Sequence, residues 1–399
     1  MAPARATEHD KKEKGMDYFL TEEQQMIKEL TRRIAEERVK PVRVELDEEE
    51  KFPWGIVKEL AKADLFRVFL PEEYGGTGGG LMELGVVTEE LARVCSGVAT
   101  TYGVASLGSF PILLAGTEEQ KKKYIPPIAA GEKLPAFALT EAEAGSDAAN
   151  VQATAKLNGN GYVINGTKQF ITNGGEAEIY TVFVSTDRSR GVRGLTAFIV
   201  EKELPGFSFG RKERKMGQRA SCTRELIFED CRVPKGSMLG KEGEGFRIAM
   251  KTLDKSRPMI GTIALGIAQG AYEAAAEYAS QRIQFGKPII SFQGINFMLA
   301  DMATQIEAAR ALVYSVCRWI DTGAENINKE CAMAKLFASD MAMKVTTDAV
   351  QILGGYGYMR DYPVEKMMRD AKLTQIYEGT NEIQRLVIAS RIIREYASK

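Results

Sequence analysis

Histidine is all but missing from this chain. The single one, His9, lies in a charged, apolar-poor stretch that reads as a disordered extension over residues 1–16. Its isolation excludes Ser-His-Asp triads, Cys-His dyads and His-ligated metals, and no metal is expected. Cysteine is scarce too. Cys95, Cys222, Cys231, Cys317 and Cys331 show no C-x-x-C spacing. An odd, scattered set points to a reducing compartment and away from disulfide frameworks and zinc sites. No run of about 18 apolar residues occurs, so membrane insertion is not expected. No signal or transit peptide is evident, which makes a cytoplasmic location the expectation. Charge of one sign is also lacking. With 53 basic and 54 acidic residues the net charge is −1, so no long-range field draws the molecule to nucleic acid or an anionic membrane. Acid–base chemistry must therefore fall to carboxylates, Tyr, Lys or a cofactor.

What the chain does have is core-forming material. Its 399 residues are 44% hydrophobic and 27% charged, enough for two or three globular domains. From about Thr21 to Ala130 the apolar period is helical. Thr21-Glu22-Glu23-Gln24 opens as a capping box, and further helices are expected over Gly55–Ala63, Leu81–Val94 and Thr117–Tyr124. The stretch Gly75 to Gly80 fits no phosphate-binding fingerprint and reads as an inter-helix loop. After Leu139 the period becomes that of strands. Tyr162–Ile164 and Thr167–Thr172 flank Asn165-Gly166, a two-residue hairpin signal. With strands near Ile179–Ser185, Leu195–Val200, Phe207–Phe209 and Glu225–Phe228, this predicts an antiparallel sandwich or barrel. Long helices return from Gly245. One runs from near Phe246 to Gln281 with a kink at Pro258, and others span Phe292–Trp319, Asn328–Leu353 and Val364–Leu373. The small, apolar Ala264-Leu265-Gly266 and Ala274–Ala276 suggest packing between subunits. The fold class is mostly α with a β middle domain (α+β). Its divisions are 17–137 helical, 138–240 β and 241–399 a helical bundle.

Candidate chemistry gathers in a few segments. Gln375-Ile376-Tyr377-Glu378-Gly379-Thr380-Asn381 sets a carboxylate just before a helix capped by Asn381 with Gln384. Gly379 lets that turn aim Glu378 into a pocket as a general base of raised pKa; otherwise Glu378 is a solvated loop residue. The loop Leu139–Asp147 could present backbone N–H groups and the hydroxyls of Thr140 and Ser146 to a ring edge or phosphate, or be an ordinary polar loop. Phe170 and Thr172 end a hairpin and could face a flat ligand. Asp254 and Arg257, three apart on a helix, are either an ion pair or an anchor for a long ligand. Arg282-Ile283-Gln284-Phe285-Gly286 and Gln351-Ile352-Leu353-Gly354-Gly355 could approach a pyrophosphate, without the strand-turn-helix setting of a dinucleotide loop.

Taken together, Thr140-Glu141 with Ala144-Gly145-Ser146-Asp147, Met216-Gly217-Gln218-Arg219, Asp254-Lys255-Ser256-Arg257-Pro258, Arg282 with Phe285-Gly286, Gln351–Gly355 and Ile376–Thr380 resemble the acyl-CoA dehydrogenase family, medium- and short-chain branch. The resemblance runs from about Asp17 to Ser398. It implies an N-terminal helical domain, a middle β-domain and a C-terminal four-helix bundle, with FAD between the last two. It implies acyl-CoA as substrate, electron-transfer flavoprotein as electron acceptor and a homotetramer.

Glu378 would be the catalytic base, with Tyr377 and Gly379 beside the substrate. Leu139, Thr140, Gly145, Ser146, Phe170 and Thr172 would meet the flavin or its phosphates, with Ser146 also near pantetheine. Arg282, Gln284, Gln351 and Gly355 would reach FAD bound mainly to a neighbouring subunit, Phe285 and Gly354 would also bind the cofactor, and Thr380 and Glu382 would approach its diphosphate. Asp254 and Arg257 would hold CoA. Tyr102 and Gly103 would lie at the blind end of the acyl pocket, one shortening and one deepening it.

Related branches carry their base two residues after the Asp of the Leu253-Asp254 segment. Here that residue is Ser256, which cannot serve. Two positions depart from the family pattern: Ala142 stands where Pro is usual, which would loosen its loop, and Phe170 where Trp is frequent. The same scaffold could run as an enoyl-CoA reductase or bind FAD and acyl-CoA without catalysis.

Overall fold

The computed structural model describes residue 16 and residues 18–397. Apart from Met16, the expected extension lies outside the described residues. The N-terminal part holds helices α1 (Glu22–Ile34), α2 (Arg43–Glu48), α3 (Trp54–Lys62), α4 (Leu81–Val94), α5 (Ser96–Ala115) and α6 (Glu118–Ala129). Thr21 closes the capping box at α1, and Thr117 with Gln120 makes another at α6. At α4 the first N–H groups go to a protein carboxylate. Asp321 accepts from Leu81 (2.7 Å) and Met82 (2.9 Å), just after the glycine-rich stretch.

Helix α5 leaves no periodic signal in the sequence. It is apolar on every side and buried from Ser96 to Ile112, so no polar face marks its pitch. Among the described residues it alone is long and apolar enough to cross a membrane, yet 83% of that window is buried inside the fold. It is a core helix.

The middle part is one eight-stranded sheet with strands β1 (Pro135–Ala138), β2 (Thr154–Asn158), β3 (Gly161–Thr172), β4 (Ile179–Ser185), β5 (Leu195–Glu201), β6 (Phe207–Lys212), β7 (Thr223–Pro234) and β8 (Met238–Leu239). Its order is β6-β7-β3-β2-β4-β5-β8, with β1 beside β4. Most pairs are antiparallel, but β4 lies parallel to β1 and β2, so the sheet is mixed. The expected hairpin at Asn165-Gly166 does not form. Both residues sit inside β3, at a register shift between Ile164 and Gly166, and the chain turns earlier, between Asn158 and Gly161. Asn165 spends its side chain on Asp230 across the shift, donating at 3.0 Å and accepting from the Asp230 N–H at 2.8 Å. Gly166 adopts φ 136°, and a Cβ there would strike Ala153. The dipeptide serves a bulge, not a turn.

The C-terminal part comprises α7 (Gly245–Gln281), a small hairpin of β9 (Ile283–Gln284) and β10 (Lys287–Pro288), α8 (Gln293–Asp321), α9 (Asn328–Leu353), α10 (Pro363–Thr374) and α11 (Asn381–Ala397). Helix α7 stays continuous through Pro258. Its small residues serve the chain's own core. Ala264, Leu265 and Gly266 are buried, and a Cβ at Gly266 or Gly270 would strike the backbone of α4 at Glu89 or Arg93. The expectation of subunit packing at Ala264–Gly266 is therefore corrected: glycine there lets two helices of one chain cross closely. One hydrophobic cluster runs through all three parts, and the site lies where they meet.

Candidate active site

The turn between α10 and α11 is built backbone first. Asn381 N–H closes it onto the Gln375 carbonyl at 3.0 Å. Thr380 Oγ1 accepts the Ile383 N–H at 3.4 Å, and the Gln384 N–H bonds the Thr380 carbonyl at 2.9 Å. The cap is Thr380, not Asn381 as the spacing suggested. Asn381 turns instead to α9, where it meets Lys335, Ser339 and Asp340. Glu378 (φ 52°) and Gly379 (φ 89°) are consecutive left-handed residues. For glutamate that conformation costs about 1–3 kcal/mol and persists only where the surroundings impose it. Here the Gln384 side chain donates to the Gly379 carbonyl at 2.8 Å and to the Glu378 carbonyl at 3.2 Å, and Lys335 Nζ donates to Gly379 at 3.0 Å.

Held this way, Glu378 lines a cavity of about 200 Å³. Burial pushes its carboxyl up to about 7, against a hydrogen bond from the Ser256 hydroxyl and the charges of Arg257 and Lys335. Lys335, fully buried on α9, is pushed down by burial, with the Glu378 charge opposing that shift. Tyr377 packs behind the carboxylate with its hydroxyl near Gln218 (3.4 Å), and burial raises it. Gln218 also accepts from Thr100 (2.8 Å), so the Met216–Arg219 motif buttresses the turn from the sheet side.

The opposite wall comes from the sheet. Leu139, Thr140, Gly145, Ser146, Phe170 and Thr172 all line the same cavity. Two devices hold them. A buried ion pair joins Lys168 Nζ to Glu141 (2.7 Å) and to the Leu139 carbonyl (3.0 Å), while Glu141 also accepts the N–H groups of Gln152 and Ala153. The loop closes further through a Glu141–Ala144 bridge, so Ala142 in place of proline leaves it pinned. Phe170 sits at a second register shift of β3 with φ 58° and is 58% exposed, its ring turned off the core. A flat, polar-edged ring system suits this wall: an aromatic side chain, two threonines whose hydroxyls no protein group uses among the described residues, and a small-residue loop. The donor set fits a flavin.

Asp254 and Arg257 pair at 2.5 Å on α7, and Arg257 lines the cavity with its buried Nε left without a protein partner. Tyr102 is a correction. Its hydroxyl donates to the Leu65 carbonyl at 2.6 Å and its ring packs on Phe66 and Phe69, while Thr100, Val104 and Leu107 line the cavity from the same helix. Gly103 acts at one remove, since a Cβ there would meet the Met259 sulfur at 2.5 Å and Met259 lines the cavity.

Arg282, Gln284 and Gly355 meet in a different cleft with Tyr278 and Tyr356. Gln351 and Gly354 are exposed beside it, and Phe285 is 93% exposed at the tip of the β9–β10 hairpin. Thr380 and Glu382 start α11. A backbone hydrogen bond and Thr380 hold Glu382 below the usual carboxylate range. Sequence reasoning missed Lys168, Lys335 and Met259, none of which belongs to a motif. For Lys335 the available signal was a charge inside the apolar run Cys331–Ala338; Lys168, flanked by Thr167 and Gln169, offered none.

Three family models match in succession: the acyl-CoA dehydrogenase N-terminal domain over residues 21–132, the middle domain over 136–231 and the C-terminal domain over 243–393. Butyryl-CoA dehydrogenase from Megasphaera elsdenii superposes with a TM-score of 0.93 at 48% identity, covering 95% of this chain and 100% of that one. Acyl-CoA dehydrogenase complexed with FAD from Bacillus anthracis gives 0.90 at 38% identity, over 96% of this chain and 69% of that one. Acryloyl-CoA reductase (NADH) of Anaerotignum propionicum is 48% identical over 383 residues, 96% of this chain and 97% of its own length.

Proposed function

The chain belongs to the acyl-CoA dehydrogenase family, and from that premise we propose that Glu378 is the base removing the α-proton of a short-chain acyl-CoA. The enzyme is an FAD-dependent oxidoreductase that places a double bond between Cα and Cβ of an acyl-CoA thioester. Bound FAD supplies the acceptor for the hydride leaving Cβ. Leu139, Thr140, Gly145, Ser146, Phe170 and Thr172 would hold it, with Thr380 and Glu382 toward its diphosphate.

A thioester α-C–H is a poor acid, so the base and the enolate oxygen both need preparation. The single observation carrying the reading is the carboxyl of Glu378, at the cavity wall and pushed up to about 7, where a base is strong yet still ionised near neutrality. The Glu378 N–H meets no protein acceptor among the described residues and is free to donate to the developing enolate oxygen. Ser256 holds the carboxylate in place, and Leu107, Ile260 and Ile263 keep water from the reacting carbons. Asp254 and Arg257 would anchor the CoA portion.

The short-chain assignment is supported by the likeness to butyryl-CoA dehydrogenase of Megasphaera elsdenii. Electron-transfer flavoprotein is the proposed acceptor. A homotetramer would cover exposed Phe285, Phe297 and Leu386 and carry Arg282, Gln284, Gln351, Gly354 and Gly355 to a neighbour's FAD. A reducing, cytoplasmic setting agrees with five free, buried cysteines. Anaerobic addition of butyryl-CoA to the flavin-bound protein should bleach the flavin and yield crotonyl-CoA; a spectrum left oxidised by every acyl-CoA tried overturns the reading. The acryloyl-CoA relative favours a second direction, reduction of a short enoyl-CoA on the same residues.

A further inference from the structure

We propose that Lys335 is the positioning residue of the catalytic turn, its buried ammonium fixing the Gly379 carbonyl and opposing the charge of Glu378 from beyond the cavity wall. The proposal rests on Glu378 being the base. Lys335 is 0% exposed on α9 and donates to the Gly379 carbonyl (3.0 Å) and to Asn381 Oδ1 (2.7 Å). Among the described residues no carboxylate bonds it directly. A buried ammonium spent on a carbonyl and an amide is costly unless a nearby charge compensates it. The strongest compensating charge is that of Glu378, the residue preceding the carbonyl it grips.

Geometry and charge act together. The strained φ of Glu378 must be imposed, and the Gly379 carbonyl is the handle: Lys335 and the Gln384 side chain both pull on it. Asn381, held by Lys335, Ser339 and Asp340 on one face of α9, keeps the following helix start in register with that handle. The remaining charges facing the pair are Arg257 and Asp254 from α7, Asp340 on α9, and Glu382 on α11. Arg385 pairs with Asp340 at 3.0 Å and Arg391 acts on Asp254, so both acids are already partnered. Removing the ammonium therefore leaves Arg257 as the one cation among the described residues acting on Glu378, and the proton on that carboxyl is held more tightly.

The test reads the proton step without the redox step. Acetyl-CoA has α-hydrogens and no β-carbon, so deuterium uptake from D2O by the flavin-bound protein, followed by mass spectrometry against pH, reports the base alone. Lys335→Met removes the ammonium and Lys335→Gln keeps a donor without charge, so one can be read if the other fails to fold. Lys335→Arg restores charge. In the Met and Gln variants the exchange midpoint should move to higher pH. Below that midpoint, exchange should slow about tenfold for every pH unit the midpoint moves. Acetyl-CoA affinity should stay near wild type, and Arg should recover the wild-type midpoint. Exchange that requires Glu378 but keeps the wild-type midpoint and rate in both uncharged variants overturns the role of Lys335 alone. Exchange surviving in Glu378→Gln overturns the base assignment and this proposal with it.

Discussion

The hydroxyl of Ser256 on α7 donates to the carboxylate of Glu378, 122 positions later in the chain. The family resemblance marks Ser256 as the place where other branches carry their own base. In space the two positions converge, and the residue that cannot abstract a proton steadies the one that can. Its hydrogen bond favours the ionised carboxylate, so losing it raises the pKa further. Ser256→Ala should move the acid limb of anaerobic flavin reduction to higher pH by under about one pH unit, slowing the step at pH 6 several-fold. Above the limb the rate should match wild type. A profile unmoved on the acid side would show that the hydroxyl does not act on the base.

Glu378→Gln conserves shape and loses basicity. FAD content and acyl-CoA binding should persist, while reduction by butyryl-CoA falls by several orders of magnitude, since the proton acceptor is lost while alignment is kept. Stopped-flow spectroscopy under argon is the measurement. In the unaltered enzyme the carboxyl, raised from 4.5 to about 7, must lose its proton to work, so the rate should climb as pH rises through about 7. A flat profile from pH 5.5 to 8.5 would contradict that assignment.

Lys168 and Glu141 form a buried ion pair that holds the wall facing Glu378. Lys168→Met strands a buried carboxylate, a loss of about 3–5 kcal/mol. Thermal melting should fall and FAD should dissociate more readily, because the Leu139–Ser146 loop loses its tether. Adding Glu141→Gln should recover part of the melting temperature, since no unpaired charge remains. Equal or greater destabilisation in the double variant would mean that the pair's charge is not what matters.

Much of this molecule is legible in its sequence because the signals are local. Thr21 to Gln24 announces α1, and the apolar spacing of Leu81–Val94 and Asn328–Leu353 gives α4 and α9 to the residue. The turn around Glu378 can be read from its glycine and the helix start that follows. Helix α5 cannot, because burial on all sides erases the polar face that periodicity needs. Asn165-Gly166 misleads because a bulge and a hairpin both use glycine at positive φ; Asp230, the partner that decides between them, lies 65 positions on. Tyr102 misleads for a similar reason. It does sit on the helix that lines the cavity, but Leu65, far away in sequence, claims its hydroxyl. Lys168 and Lys335 are ordinary surface residues by type, and only the fold buries them.

Chain-length selectivity should turn on Met259 and Gly103. Met259 lines the cavity from α7, its sulfur accepting from Ser106 at 3.6 Å, and Gly103 leaves the space that the thioether occupies. Met259→Ala removes atoms from the wall without touching the base, so longer acyl chains should gain. Each additional methylene that finds room contributes about 0.8 kcal/mol, or roughly fourfold in kcat/KM. Gly103→Ala works in the opposite sense. Its new Cβ would stand 2.5 Å from the Met259 sulfur, forcing the thioether aside and reshaping the wall against the longest accepted substrate. In the Met259→Ala background that collision disappears, so Gly103→Ala should become nearly silent, and the two substitutions should be non-additive. A panel of acyl-CoAs from four to eight carbons, assayed with an artificial electron acceptor, reads all three variants. Additive effects, or unchanged preference in Met259→Ala, would place the end of the acyl pocket elsewhere on the wall.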